Sequence, residues 1–451
     1  MRYDEVLKYI EERNKLGSVP GLDNILGLLR RLGNPEKGIP AFHIAGTNGK
    51  GSIMAYVETV LIEAGYKVGR YISPTIIDYR ERWQINKEYM PKRDCGQIMG
   101  RIIEEVGRME EAGEGRPTSF EIETAAAFLW FKKKGCNIIL IECGMGGGLD
   151  ATNVFTETPI DVLASISFDH MQFLGNTLTA ITKEKLGIVK KDDILVSYPQ
   201  TAEPKKAVEK LVKKNGMDDG RYFEADPAEL SDVNDGMFGS TFTYKNEKYE
   251  IKLAGAAQVY NAITAIETIE AFNSIAAKYG LRKVPKRLVK KGLKDTGWQG
   301  RFSVLSKDPL FIVDGAHNSD AWEKLEKDVR KYFTNKKLVF IIGVLRDKEY
   351  DKMLKLLTPV MASAITVTTD SPRALDGGVL AELIQERGVP ATFAKSIKEA
   401  VRLAKQQVGE LSTADNGKTE AGKAAKVKAD DCVIIACGTL SFVGDIIKTV
   451  K

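Results

Sequence analysis

Two hydrophobic periods alternate along the chain. Short apolar runs rich in β-branched residues, A-F-H-I-A at 41–45, K-V-G-R-Y-I at 67–72, N-I-I-L-I-E at 137–142, D-V-L-A-S-I-S at 161–167 and residues 194–198, read as buried parallel strands. Stretches with apolar positions at helical spacing separate them, over 1–16, 22–32, the segment after Ser52, 94–112, 119–134, 179–190 and 258–279. Residues 75–93 are polar, irregular and aromatic, and are expected to form a loop over the site. Residues 240–253 predict an antiparallel hairpin. K-D-T-G-W-Q-G-R at 294–301 then breaks the pattern, and from Leu310 the alternation restarts with strands predicted at 310–314, 338–343, 364–369 and 432–437. The break near 297 divides the chain into an expected domain over 1–297 and a smaller one over 298–451. Residues 411–430 are poor in large apolar side chains and are expected to be a mobile surface loop.

The first of these strands runs into G-T-N-G-K-G-S at 46–52 and from there into a helix. Strand, glycine loop and helix make a phosphate cradle. Glycines let backbone N–H groups turn inward, the helix N-terminus adds partial positive charge, Lys50 can reach a β/γ-phosphate, and Ser52 is placed to hold Mg²⁺. The alternative is a glycine turn that merely closes a βα unit. The loop is a variant of G-x-x-x-x-G-K-[ST], with Ile44 in place of its first glycine and Gly51 in place of its Ser/Thr. With strands whose C-terminal ends carry glycine and polar residues, the pattern predicts an α/β fold. Its expected parts are an open sheet of the P-loop ATPase type with a small antiparallel hairpin, and a smaller Rossmann-like α/β domain at the C-terminal end.

Composition narrows the partners. At 451 residues the chain exceeds the size at which one core keeps growing. A net charge of +5, with Lys and Arg scattered among Asp and Glu, gives no case for nucleic acid. No apolar run approaches the about 18 residues that span a bilayer. Five cysteines without a C-x-x-C pair read as buried thiols in a reducing compartment, and the start lacks a signal-peptide core, so a cytoplasmic protein is expected; separately, a monomer is the expected state.

Only three histidines occur. His43 lies inside the strand before the loop and reads as a hydrogen-bonded structural residue. His170 in F-D-H and His317 in D-G-A-H-N follow strand ends. Glu142 and His170 feed the same sheet edge as Ser52, so Mg²⁺ could draw oxygen from the carboxylate and nitrogen from the imidazole; a nitrogen ligand is unusual for Mg²⁺, and a polar cap is the alternative for His170. Asp314 ends the first strand of the second domain and Arg301 follows the linker, so either could reach a nucleotide across a cleft.

Taken in order, G-T-N-G-K-G-S, Ser73-Pro74 with R-E-R at 80–82, T-S-F-E at 118–121, E-C-G-M-G-G-G-L-D-A-T-N at 142–153, D-H at 169–170, E-K-L-G-I at 184–188, G-R at 300–301 and D-G-A-H-N at 314–318 resemble the folylpolyglutamate synthase/dihydrofolate synthase family of the Mur ligase superfamily. The resemblance covers nearly the whole chain. It implies an ATP-dependent amide ligase that adds L-glutamate to a folate, and with or without that to dihydropteroate, through an acyl phosphate. It implies that Thr47, Asn48, Gly49, Lys50, Gly51 and Ser52 hold the phosphates and that Asn261, Arg301 and Asp314 contact the nucleotide. Ser52, Ser73, Glu142 and His170 match Mg²⁺ ligands, and Lys185 matches a lysine that, once carbamylated, serves a second Mg²⁺. Lys50, His170, Lys185 and His317 stand for the catalytic groups. Thr118, Ser119, Phe120, Glu121, Leu149, Asp150 and Ala151 match pterin-side contacts, with Ser18–Pro20 aligned only loosely. The alternative for Lys185 is a surface lysine on the helix 179–190.

The chain departs from the family at Gly148, where many members have arginine, in a loop between Asn153 and Asp161 about a residue longer, and in the insertion at 411–430. Two rival readings stand beside this one. A P-loop kinase or NTPase shares the loop but needs no second α/β domain. Another amino-acid ligase of the Mur superfamily would carry an extra N-terminal domain, whereas only about 45 residues precede the loop here.

Overall fold

The computed structural model describes residues 1–15, 17, 21–156, 158–414 and 431–450. Eight strands form the first sheet: β1 (Ala41–Ala45), β2 (Val68–Tyr71), β3 (Trp83–Ile85), β4 (Glu88–Tyr89), β5 (Ile138–Glu142), β6 (Ile160–Leu163), β7 (Ile194–Ser197) and β8 (Tyr222–Glu224), in the order β4-β3-β2-β5-β1-β6-β7-β8. From β2 to β8 every pairing is parallel, which sets the C-terminal ends of β1, β5 and β6 side by side. Such strands are covered on both faces, and β1 and β5 are buried throughout.

One face carries the helices Lys50–Glu63, Ala256–Ile275 and Lys286–Asp295, around a core that includes Phe42, Val57, Phe272 and Leu293. The other carries Tyr3–Asn14, Asp23–Arg31, Lys92–Glu111 and Ser119–Lys134, around Tyr71, Trp83, Phe128 and Ile141. The helix after the glycine loop is apolar almost all round because two further helices sandwich it against the sheet. A second, antiparallel sheet joins β9 (Leu230–Gly236), β10 (Gly239–Tyr244) and β11 (Glu247–Ile251). The third sheet has six strands, β12 (Ser303–Lys307), β13 (Leu310–Asp314), β14 (Lys337–Ile342), β15 (Ser363–Val367), β16 (Ala391–Ala394) and β17 (Cys432–Cys437), in the order β12-β13-β17-β14-β15-β16, parallel except for β12.

The structure corrects several sequence expectations. Residues 75–93 hold a 3-10 turn, Tyr79–Arg82, and the β3-β4 hairpin rather than loop alone. That hairpin closes on Asn86 and Lys87, both at positive φ (50° and 69°), a two-residue turn that the polar strand residues conceal in the sequence. The hairpin expected over 240–253 gains β9 as a third strand, and β9 exposes most of its residues, so no apolar alternation marks it. β8, β12 and β16 are edge strands for the same reason absent from the apolar pattern. The helix expected over 179–190 ends at Lys185 and tightens into a 3-10 turn, Leu186–Ile188. Helix Ile397–Ala414 takes in the first residues of the expected 411–430 loop; the remainder lies outside the described residues, as do Ser18–Pro20. All five cysteines are buried, and among the described residues no helix is long and apolar enough to cross a membrane.

Candidate active site

β1 delivers the chain to Gly46, whose φ is 149° and whose Cβ, if it had one, would stand 2.6 Å from that of Ala164. Only glycine fits there. Thr47 and Asn48 then donate their backbone N–H groups to the Ser165 carbonyl at 2.8 and 3.2 Å, and Thr47 Oγ1 donates to Ser167 O at 3.0 Å. These bonds tie the loop to the segment leaving β6. Gly49, at φ 89°, caps the helix Lys50–Glu63 and leaves its first N–H groups to an incoming anion.

Lys50, Ser73, Glu142, His170, Lys185, Arg301 and His317 line one cleft of about 1380 Å³ between the two large sheets. Lys50 Nζ donates to Gly46 O and Thr47 O at 3.2 and 3.4 Å, and lies 3.8 Å from Glu142 Oε1. Lys185 is buried and its Nζ donates to the same Gly46 carbonyl at 3.0 Å, which excludes the surface-lysine reading. Burial, and then the charge of Lys50, lower the Lys185 pKa to about 8. Glu142 is also buried; burial raises its pKa against the opposing pull of Lys50, and its Oε2 receives only a long bond from Ser73 N, 3.4 Å.

Among the described residues no three His, Cys, Asp or Glu side chains converge well enough to hold a metal alone. Mg²⁺ does not require them to. It keeps several waters and is held by one or two carboxylates plus substrate phosphates, and Glu142, buried and weakly partnered, beside the hydroxyl of Ser73, fits that pattern.

A second cavity, of about 710 Å³, brings Asn48, Gly49, Ser52 and Asn261 together with Arg301 and Asp314. Gln258 braces it, donating to Ser52 Oγ at 3.4 Å and accepting from Asn261 Nδ2 at 3.1 Å. Asp314 accepts from Phe302 N and Ala316 N at 2.7 and 2.8 Å, which holds the 300–302 turn against the loop after β13.

Side chains also reach across the cleft. Asn48 Nδ2 donates to Asp320 Oδ2 at 2.7 Å and to Asn318 Oδ1 at 3.2 Å. Burial raises the pKa of Asp169, but Lys348, 2.5 Å away, and then His170 and His317, outweigh it and hold the carboxyl well below its usual range. His317 Nδ1 bonds to Gly315 O at 2.8 Å, so the ring donates there and keeps Nε2 as an acceptor, 3.7 Å from Asp169 Oδ2. Burial lowers the His317 pKa to about 4, so the ring is neutral at pH 7. His43, by contrast, sits behind the loop, its Nε2 2.8 Å from Thr152 Oγ1 and 3.0 Å from Cys143 Sγ, as a structural residue.

The residues matched to pterin contacts do not line this cleft. Thr118 and Glu121 form the capping box of helix Ser119–Lys134, Ser119 Oγ donates to Asn14 Oδ1 at 2.6 Å, and Phe120 packs beneath Gly144. Asp150 is buried and organises its own loop, accepting from Met145 N at 2.8 Å and Thr152 N at 3.0 Å; Ala151 is in the core and Leu149 faces solvent. Gln258, Asn318, Asp320 and Lys348 emerge only from the structure. Asn318 belongs to the D-G-A-H-N motif, which is a usable signal; the other three carry none.

Residues 44–269 match the Mur ligase middle domain, and residues 300–413 match the Mur ligase glutamate ligase domain. A dihydrofolate synthase/folylpolyglutamate synthase from Bacillus subtilis is 31% identical over 455 aligned residues, which cover 100% of this chain and 99% of the relative. The chain belongs to the folylpolyglutamate synthase/dihydrofolate synthase family of Mur ligases. Two solved structures show the same family fold over their whole length. Mycobacterium tuberculosis folylpolyglutamate synthase complexed with ADP is 26% identical, with a TM-score of 0.87 and 99% of both chains covered. An FPGS–AMPPCP–folate complex is 26% identical, with a TM-score of 0.81, covering 100% of this chain and 99% of the other. The middle-domain match of this Mur ligase begins at Ile44, just before the glycine loop, and the ligase-domain match begins at Gly300, beside Arg301.

Proposed function

We propose that this Mur ligase adds L-glutamate to a folate at the expense of ATP. The folate carboxylate takes the γ-phosphoryl group; the glutamate amine attacks the resulting acyl phosphate, the C–N bond forms as the C–O bond to phosphate breaks, and ADP and phosphate leave. The observation that carries the reading is the convergence of Lys50, Glu142 and Lys185 from one side of the cleft with Arg301 and His317 from the other. A single-domain phosphotransferase has no use for the second set.

The roles follow from the surroundings. Lys50 and the N–H groups of the glycine loop face the charge that moves during phosphoryl transfer. Asn261, Arg301 and Asp314 hold the nucleotide in the cavity they share with Ser52. Ser52, Ser73, Glu142 and His170 would hold Mg²⁺, which when bound neutralises phosphate charge. Lys185, lowered to about 8, reacts with CO₂ as its free amine, and the carbamate would turn a cation that repels a second Mg²⁺ into an anion that binds it. His317, neutral and with Nε2 unprotonated, takes the proton that the attacking amine loses. The linker around 297 divides an ATP-binding domain over 1–297 from a glutamate-ligase domain over 298–451, and the absence of a C-x-x-C pair among the buried cysteines supports a cytoplasmic setting.

ADP formation, assayed with tetrahydrofolate and with dihydropteroate separately, tests the function. Glutamate-dependent ADP release with at least one of them is expected, and release in both tubes would make the enzyme bifunctional. ADP release that ignores glutamate would instead identify a P-loop NTPase.

A further inference from the structure

We infer that a cavity at the end of the first sheet opposite the catalytic cleft is a binding site for a small organic cation, an ammonium or amidinium group carried on an apolar stem. The cavity encloses about 810 Å³, a size within the about 300–1,000 Å³ of small-molecule sites. Pro40, which leads into β1, and Pro159, which leads into β6, both line it. The two strands run parallel away from it, and β1 reaches the glycine loop only after five residues, about 17 Å on. Among the described residues the cavity and the cleft share no lining side chain.

The carboxylate in its wall is uncompensated. Glu36 lines the cavity, is 4% exposed, and leaves Oε2 without a hydrogen-bond partner. Its backbone is fixed by the turn around it, where Asn34 N donates to Leu29 O at 2.8 Å and Lys37 N to Asn34 O at 3.2 Å. The nearby ammonium group of Lys132 is engaged elsewhere, donating to Lys37 O. Burial raises the Glu36 pKa despite the opposing charges of Lys37 and Lys132.

The rest of the wall is apolar and aromatic, with Ile39, Pro40, Val154, Phe155, Pro159 and Tyr279. Phe155 is held by edge contacts with Phe128 and His43, whose ring centres lie 5.4 and 5.9 Å away. Val154, Phe155 and Pro159 belong to the loop that reads as about a residue longer than in the family, and glutamate ligation gives that loop no task. A divalent metal ion needs several oxygen ligands, and among the described residues no three His, Cys, Asp or Glu side chains converge. An anion meets the Glu36 carboxylate, and a neutral apolar molecule leaves Oε2 unpaired. An ammonium or amidinium group gives Oε2 a charge-assisted bond, while Phe155 and Tyr279 offer the cation aromatic rings and its stem an apolar surface.

Benzylamine is the probe, with benzyl alcohol and benzoate as its neutral and anionic counterparts, and binding to the full chain is titrated by saturation-transfer NMR. Wild type is expected to bind the amine at least about tenfold more tightly than either counterpart. Glu36→Gln keeps the shape of the side chain and removes a buried unpaired charge, so its melting temperature is expected to hold or rise. Its affinity for benzylamine is expected to fall about ten- to a hundredfold. Tyr279→Ala is the second variant, with an expected loss of about two- to fivefold. Equal benzylamine affinity in wild type and folded Glu36→Gln would overturn the inference, as would benzyl alcohol binding as tightly as the amine or wild type showing no saturable binding. Where Glu36→Gln fails to fold, the comparison of amine with alcohol in wild type and Tyr279→Ala decides.

Discussion

An ordinary lysine, of pKa about 10.4, is the free amine in about 0.04% of molecules at pH 7. Lys185, lowered to about 8 by burial and by Lys50, is free in about a tenth of them. Only the free amine forms a carbamate, so the environment makes that chemistry accessible near neutral pH. The sign for folding follows from the same shift: between about pH 8 and pH 10.4 the folded state binds fewer protons than the unfolded state, and stability rises with pH through that window. Lys185→Arg is expected to be inactive, because guanidinium stays charged and carries no carbamate. Lys185→Ala is expected to lose activity about a hundredfold and to regain part of it with acetate, which fills the vacated anion position. Turnover by Lys185→Arg at the wild-type rate would show that positive charge suffices there. The E-K-L-G run makes this lysine conspicuous in the sequence. Its burial and its bond to Gly46 O are not legible, because they come from a loop 139 positions away.

Among the elements, the helix Lys50–Glu63 is closely packed on several sides. It carries Lys50 and Ser52 on its first turn and is pressed between the sheet and the helices Ala256–Ile275 and Lys286–Asp295. Gly292 makes the closest approach: a Cβ there would stand 2.6 Å from Val60 Cα. Gly292→Ala therefore forces the two helices apart, and overpacking of this kind costs about 1–3 kcal/mol, against a gain in helix propensity of up to about 1 kcal/mol. Calorimetry is expected to show a melting temperature lower by about 2–6 °C; an unchanged or higher value would mean that the helices have slack. The amphipathic helices and the β-branched strands were readable from their periods. β9 was not, because an exposed antiparallel strand needs only backbone partners.

At the scale of the whole molecule, Asp169 joins Asn48 in tying the two sides of the cleft together. It accepts from Lys348 at 2.5 Å and from Asn318 Nδ2 at 3.3 Å, both on the far side. Because its carboxyl is held below the ordinary range, this contact contributes at every pH above about 4 and is lost as pH falls below that. Removing one member of a buried charge pair leaves the other uncompensated, at a cost of about 2–5 kcal/mol. Lys348→Ala is accordingly expected to raise the glutamate KM and to weaken the protection of residues 294–301 from protease that ATP and folate together should provide. Cleavage at the same rate in wild type and variant, with and without ligands, would argue that the two halves are rigidly joined by other contacts.

The sequence by itself determined the local framework: a phosphate loop between a buried strand and a helix, two runs of α/β alternation with a break near 297, and ordered motifs that resemble one ligase family. Those features depend on residues close together in the chain, where period and glycine placement carry the physics. Tertiary structure alone decided which motif residues meet. It set Glu142, Lys185 and Lys50 around one another by aligning parallel strand ends, engaged Thr118 and Glu121 in a helix cap and Asp150 in the loop whose Met145 lines the cleft, and left Glu58, Arg70 and Trp298 around a cavity that no motif marks. Burial and the approach of distant side chains fix both the charge states and the room for a substrate, and neither quantity is written in local order.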